Sequence, residues 1–143
     1  MRISTRGRYS LEALLYMALL PDGEYASTRS IAESTGISDG YLEQLFIALR
    51  KAGIVQGIRG PQGGYVLGRD YDRITVGDIL RTVEGSLEPV ECISVTTCPI
   101  RKDCKSRQTW VDLYNEIAGC ADSVTLKDLT HSYKTMDQIE YTI

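Results

Sequence analysis

Along DGYLEQLFIALRKA, residues 39–52, the apolar side chains Leu42, Leu45, Phe46 and Leu49 return at steps of three and four. That spacing lines one face of a helix and leaves Glu43 and Gln44 on another. Ser38 precedes the helix as an N-cap and Gly53 follows it as a C-cap. Upstream, YSLEALLYMALL predicts a helix over 9–20, closed by the turn signal Pro21-Asp22-Gly23. A shorter helix opens at Ser27 or Thr28, carries Ile31 and Ala32, and stops at Gly36.

Downstream the period changes. IVQGIR and GYVLG are β-prone, and GPQGG between them reads as the glycine-rich tip of a hairpin. ITVGDILRTVEG follows, with Thr75 and Asp78 spaced as a capping pair ahead of Ile79, Leu80 and Val83. After the linker SLEPVE and a cysteine-bearing loop, a longer helix is predicted from about 106 to 121. It sets Trp110, Leu113, Tyr114, Ile117 and Cys120 on one face. TLKDLTHSY opens a last short helix at Thr125, and the final residues carry no strong signal.

Three short helices and then a hairpin make the winged form of the helix-turn-helix, with TGIS joining the second and third helices. The expected fold is therefore mainly α with a small β-hairpin wing, continued by a long C-terminal dimerisation helix. Residues 1–84 form the DNA-binding domain, with the recognition helix at about 38–52 and the wing at about 54–69. Residues 85–105 are linker and cysteine loop, and 106–143 are the dimerisation helix and C-terminal segment. In this arrangement the third helix enters the major groove and its first turns meet base edges. The residues so placed are Ser38, Asp39, Gly40, Tyr41, Glu43 and Gln44. A glutamate accepts from cytosine N4 and a glutamine pairs with adenine. Arg59, at the wing tip, has the charge and reach for phosphate or the minor groove.

Composition narrows the class. The chain has 143 residues, 43% of them hydrophobic and 24% charged, enough to bury a core and too apolar for generic disorder. No apolar run approaches the ~20 residues needed to cross a bilayer. We expect a cytoplasmic protein without membrane association. The net charge of -3 argues against wholesale coating of a polyanion, but it is unevenly spread. Residues 1–70 carry eight Lys and Arg against seven Asp and Glu, and residues 71–143 carry eight against twelve. Arg2, Arg6 and Arg8 cluster at the start, and Arg50, Lys51 and Arg59 later. A local basic face suffices for double-stranded DNA, because screening limits charge effects to about 10 Å. Nothing resembles a nucleophile–base pair or a phosphate loop, so no enzyme activity is expected.

The remaining chemistry lies in ECISVTTCPIRKDCKSRQTW, residues 91–110. It holds Cys92, Cys98 and Cys104 at equal steps of six, with Pro99, Arg101, Lys102, Asp103, Lys105 and Arg107 around them. In a reducing compartment such thiols favour metal binding or redox chemistry over structural disulfides. An iron–sulfur cluster, zinc, or a redox thiol pair all remain open from the residues alone.

RGRYSLEALLYMAL, ISDGYLEQLFIALRKAGIV, IRGPQGGYVLG and ITVGDILRTVEG together closely resemble the winged-helix regulators of the IscR type, over nearly the whole chain. The resemblance implies a homodimer on a pseudo-palindromic operator, with the long helix after the cysteine loop as dimer contact. It also implies a [2Fe–2S] cluster held by Cys92, Cys98 and Cys104, with a [4Fe–4S] cluster, zinc or no metal as the alternatives. Tyr9, Glu43 and Arg59 match family DNA contacts, joined by Ser38, Tyr41 and Gln44 from the recognition helix. Two positions depart from the pattern. The family's fourth ligand, a histidine, falls on Arg107, which cannot ligate iron because it stays protonated. The fourth ligand is therefore open. The family's recognition-helix serine falls on Gly40. A sister branch, the CymR type, regulates cysteine metabolism, lacks the cysteine loop and binds a cysteine-biosynthesis enzyme. The tail SYKTMDQIEYTI resembles that branch loosely, which keeps such an enzyme as an alternative partner.

Overall fold

The computed structural model describes residues 2–94 and 104–142. Its elements run α1 (Thr5–Ala18), α2 (Thr28–Thr35), α3 (Asp39–Lys51), β1 (Val55–Ile58), β2 (Gly64–Leu67), α4 (Val76–Val83), α5 (Arg107–Ser123) and α6 (Leu126–Thr142). Short 3-10 turns occur at Tyr71–Arg73 and Glu91–Ile93. Helix, helix, helix and hairpin make the winged helix-turn-helix that the patterning predicts.

The local signals do what their chemistry dictates. Ser38 caps α3, its hydroxyl accepting from the Tyr41 N–H at 3.3 Å. Ser27 caps α2 in the same way through Ser30 N–H, and Gly36 ends that helix in the left-handed region at φ 78°. Thr75 and Asp78 form a reciprocal capping box at the start of α4. The hairpin is antiparallel, with Val55 opposite Leu67 and Ile58 opposite Gly64. It is fastened to the entry of α2 by a pair of backbone bonds between Ala26 and Tyr65, at 3.0 and 2.7 Å.

The core gathers Leu14, Ile31, Leu42, Phe46, Leu49, Ile54, Ile74, Ile79 and Leu126, all at 0–1% exposure. Every position of the α3 stripe is thus inside, and burying one such side chain is worth roughly 1.5–3 kcal/mol. Phe46 stacks on Tyr65 with centroids 4.8 Å apart, which joins α3 to the wing. A second, smaller cluster of Leu80, Leu87 and Ala121, with Val76, Tyr114 and Ile117 packed against it, seats α5 on α4.

Three expectations change. Helix α1 begins at Thr5, four residues before the predicted start, because Ser4 and a distant carboxylate (below) satisfy its first turn. Helix α6 runs to Thr142 rather than stopping after a short turn, its start fixed by Thr125 and Asp128 capping each other and by buried Leu126. The α5 stripe does not stay on one face. Tyr114 and Ile117 pack toward α4, while Leu113, at 42% exposure, and Cys120 face outward.

Candidate nucleic-acid interface and cysteine loop

Helix α3 offers Glu43 and Gln44 to solvent, next to each other on its first turns, because Leu42 and Leu45 on either side are claimed by the core. Tyr41 is half-buried and braced from α1. Its hydroxyl lies 3.1 Å from Thr5 Oγ1, and Tyr9 meets its ring edge-on with centroids 5.8 Å apart. The Arg8 guanidinium sits 5.9 Å from the Tyr9 centroid. Tyr9, Tyr41 and Ser38 therefore form one connected edge between α1 and the start of α3. The Ser38 oxygen is engaged in capping, so its remaining hydroxyl proton is the part free to meet a phosphate or base.

Two concavities flank the recognition helix. On the wing side a groove of about 480 Å³ is lined by Ser27, Thr28, Arg50, Ile58, Arg59 and Tyr65. On the other side a smaller one of about 200 Å³ is lined by Arg6, Tyr41, Gln44, Ala48, Thr82 and Val83. Each holds arginine beside hydroxyl groups. Phosphate oxygens are bound by this combination, and a helix seated in a groove about 12 Å wide has a backbone ridge on either side. Arg59 is exposed at the wing, across the first groove from Arg50. Gly40 is exposed, with open space where a side chain would stand.

The cysteine loop lies between the 3-10 turn at Glu91–Ile93 and α5. Cys98 lies outside the described residues; Cys92 and Cys104 are described, both half-buried and both free thiols. Arg107, at the position matching the family's histidine, joins them. Its Nη1 donates to the Cys92 carbonyl at 3.1 Å, and its backbone N–H donates to the Cys104 carbonyl at 3.5 Å.

Ser106 stands between Trp110 and Cys104. The Trp110 indole N–H donates to Ser106 Oγ at 3.2 Å, which leaves the serine proton for the Cys104 sulfur, 3.6 Å away. The Ser106 hydroxyl, then its backbone N–H, and the nearby Arg107 N–H and charge hold the Cys104 thiol below its ordinary pKa. Cys104 is thereby biased toward thiolate, the form that ligates metals and attacks electrophiles. Trp110 is half-buried and orients this group as well as packing, a role its spacing did not announce.

As a donor set, thiolates fit an iron–sulfur cluster or zinc. Arg107 does not fit as a ligand, and no group of three or more His, Cys, Asp or Glu converges among the described residues.

Two further links were not visible in the sequence. The Glu84 carboxylate, just past α4, accepts from Ser4 N–H, Ser4 Oγ–H and Gly7 N–H at 2.8, 2.6 and 2.8 Å. The Ser4 hydroxyl, chiefly, with the Gly7 and Ser4 N–H groups and Arg6, holds Glu84 below the usual carboxylate range. Arg81 grips Asp122 of α5 with both guanidinium nitrogens, at 2.6 and 2.9 Å.

Comparison with known proteins places this geometry. The Rrf2 family model, described as an iron-dependent transcriptional regulator, matches residues 3–132. The HTH-type transcriptional regulator CymR of Bacillus subtilis is 40% identical over 141 residues, covering 99% of this chain and 97% of that protein. Its solved structure, that of a global cysteine regulator, superposes with a TM-score of 0.77 over 92% of this chain and 98% of that one. The HTH-type transcriptional regulator IscR of Escherichia coli O1:K1 / APEC is 36% identical over 137 residues, 96% of this chain and 85% of that protein. The structure of T. potens IscR is 38% identical, with a TM-score of 0.72 over 93% of this chain and 88% of that one.

Proposed function

The chain belongs to the Rrf2 family of DNA-binding transcriptional regulators, and from that premise we propose that it is a dimeric, cytoplasmic regulator whose cysteine loop sets its affinity for DNA. Glu43 and Gln44 read base edges in the major groove, helped by Tyr41. Ser38 and Tyr9 hold backbone, and Arg59 serves phosphate or minor groove from the wing. Cys92, Cys98 and Cys104 hold a [2Fe–2S] cluster, which when bound supplies a centre responsive to iron supply and oxidation. The chain's own part is to present the thiolates. Ser106 and Trp110 keep Cys104 ready to ligate, and Arg107 ties Cys92 to the start of α5.

The observation that carries this reading is the convergence of Cys92 and Cys104 on Arg107. Residues twelve apart at the two ends of the loop are bonded to one residue, Cys92 through its guanidinium and Cys104 through its backbone N–H, and that residue is the first of the helix that carries the outward face of Leu113 and Cys120. Whatever binds the thiols therefore acts on the base of α5. A second copy covering the outer face of α5 would give two recognition helices related by a two-fold axis, as a palindromic operator needs.

A second reading is favoured by one observation, the Ser106 hydroxyl set 3.6 Å from the Cys104 sulfur, where it steadies a thiolate. A thiolate at this position is also a redox sensor without metal, and the 40% identity to a global cysteine regulator agrees with a role in sulfur metabolism; an enzyme of cysteine synthesis is the partner this second reading would take.

Selection from a random duplex library, followed by sedimentation of the selected complex, tests the core of the proposal. A two-fold symmetric site bound by two protomers is expected. A protein that sediments as a monomer at micromolar concentration and selects no symmetric site contradicts it.

A further inference from the structure

Helix α1 has no acidic residue in its first turn, so the amide protons there lack a local carboxylate. Glu84 supplies one from 80 residues away, taking three hydrogen bonds from Ser4 and Gly7. The approach is close. A methyl group on Gly7 would stand 2.9 Å from the Glu84 oxygen and 3.0 Å from Leu80.

The turn that Glu84 fixes also holds the recognition helix. Thr5, between Ser4 and Arg6, meets the Tyr41 hydroxyl at 3.1 Å, and Tyr9, one turn on, abuts the Tyr41 ring. Tyr41 in turn donates its N–H to Ser38, the cap of α3.

On its other side Glu84 opens the linker to the cysteine loop. Gly85 follows it with φ 90°, a left-handed conformation that glycine adopts without strain and that turns the chain out of α4. Leu87, at 4% exposure, then packs with Leu80 and Ala121 at the junction of α4 and α5, and five residues later Cys92 is held by Arg107. Arg81, one turn before Glu84, is clamped to Asp122 of α5. A shift of α5 as a rigid helix therefore reaches Glu84 by two routes, through the linker from its Arg107 end and through α4 from its Asp122 end.

We propose that Glu84 is the positioning residue through which the condition of the cysteine loop reaches the recognition helix of the same protomer. The two-state element is the first turn of α1. It is capped when Glu84 is seated and frayed when the linker draws Glu84 away, and Tyr41 loses its brace with it. Coupling between distant sites requires such an element, with two arrangements that both sites bias. The proposal rests on the sensing role given above to the loop.

The test compares affinity for a duplex selected by the native protein, before and after anaerobic loading with iron and sulfide, in the native chain, Glu84→Ala and Thr5→Val. Native affinity should differ between the two forms by about fivefold or more, the lower end of ordinary couplings. In both variants the ratio should fall to about twofold or less, while iron, sulfide and visible absorption per protomer stay native. In the metal-free protein, Glu84→Ala should speed hydrogen exchange over residues 39–44 as well as 4–8, with the hairpin amides unchanged; a merely local loss would move only 4–8. A native-sized ratio in both variants overturns the coupling while leaving the sensor standing. A native protein with no ratio overturns the sensor and the coupling together. Should Glu84→Ala fail to fold, Thr5→Val, which removes one exposed hydroxyl, decides alone.

Discussion

Arg81 of α4 and Asp122 of α5 meet as a two-pronged ion pair, at 2.6 and 2.9 Å, directly over Gly77. The pair lowers the Asp122 pKa and fastens α5 to α4. Both side chains are more than a third exposed, so their attraction is largely screened and contributes little to stability. Gly77 leaves room for the pair, since a side chain there would meet the Asp122 carboxylate and the Arg81 guanidinium, both of them movable side-chain ends.

Gly77→Ala should therefore displace the pair rather than strain the backbone, and should cost no more stability than Arg81→Ala. Urea denaturation of the two variants and the double mutant checks this. The double mutant should be no less stable than Arg81→Ala alone, because the pair that the added methyl would displace is already gone. Purely additive losses would contradict the geometry.

Glu84 makes stability depend on acid. Its folded pKa lies below the ordinary value of about 4.3, so its contribution is fully present above that value and is lost as pH falls through the lower folded one. Glu84→Ala should cost about 1–2 kcal/mol near neutrality, the scale of a lost charged helix cap. The melting-temperature gap between native and variant should hold constant above about pH 5 and close as pH drops below about 4. A gap independent of pH would mean that the carboxylate charge contributes nothing.

These links also mark what the sequence could not disclose. Ser38, Thr75 and Gly36 were readable as helix ends, and Ser27 as one of two starts for α2, because each bonds within a few residues of itself. The α3 stripe was readable because one helix face repeats at a fixed period, and all four of its apolar residues are at most 5% exposed. Glu84 and Ser4 are 80 residues apart, and Arg81 and Asp122 are 41 apart, so no local pattern announces either pair. The early start of α1 was missed for the same reason. On α5 the helix was read correctly but its stripe was not, because Tyr114 and Ile117 are drawn to Leu80 and Leu87 while Leu113 and Cys120 face outward, a division that periodicity alone does not show. Among the candidate base contacts, the exposure of Glu43 and Gln44 followed from the stripe, whereas the bracing of Tyr41 by Thr5 did not.

Glu43→Ala should relax sequence choice, and Arg59→Ala should weaken binding across sequences. A base-edge acceptor contributes about 1–3 kcal/mol of discrimination, while a phosphate contact adds mainly salt-dependent affinity. Titrations of the selected duplex and a scrambled one at several salt concentrations separate the two effects. An unchanged affinity ratio in Glu43→Ala would remove it from the reading surface. If Arg59 enters the minor groove, its loss should also alter preference for narrow A·T tracts.

Gly40→Ser should be accepted without distortion, since no atom lies within 4 Å of the added carbon. Serine favours the helix over glycine by about 0.5 kcal/mol and adds a hydroxyl beside Glu43. We expect a melting temperature raised by a few degrees and a changed base preference at one position per half-site in a repeated library selection. An unchanged selected site would place residue 40 off the DNA.

The most direct measurement is iron and acid-labile sulfide per protomer after anaerobic reconstitution, in the native chain and in Cys92→Ser/Cys98→Ser/Cys104→Ser. The account predicts iron and sulfide in equal amounts with visible absorption in the native protein, and neither in the triple variant. Equal uptake by both proteins, or none by the native one, would contradict a cluster held by this loop.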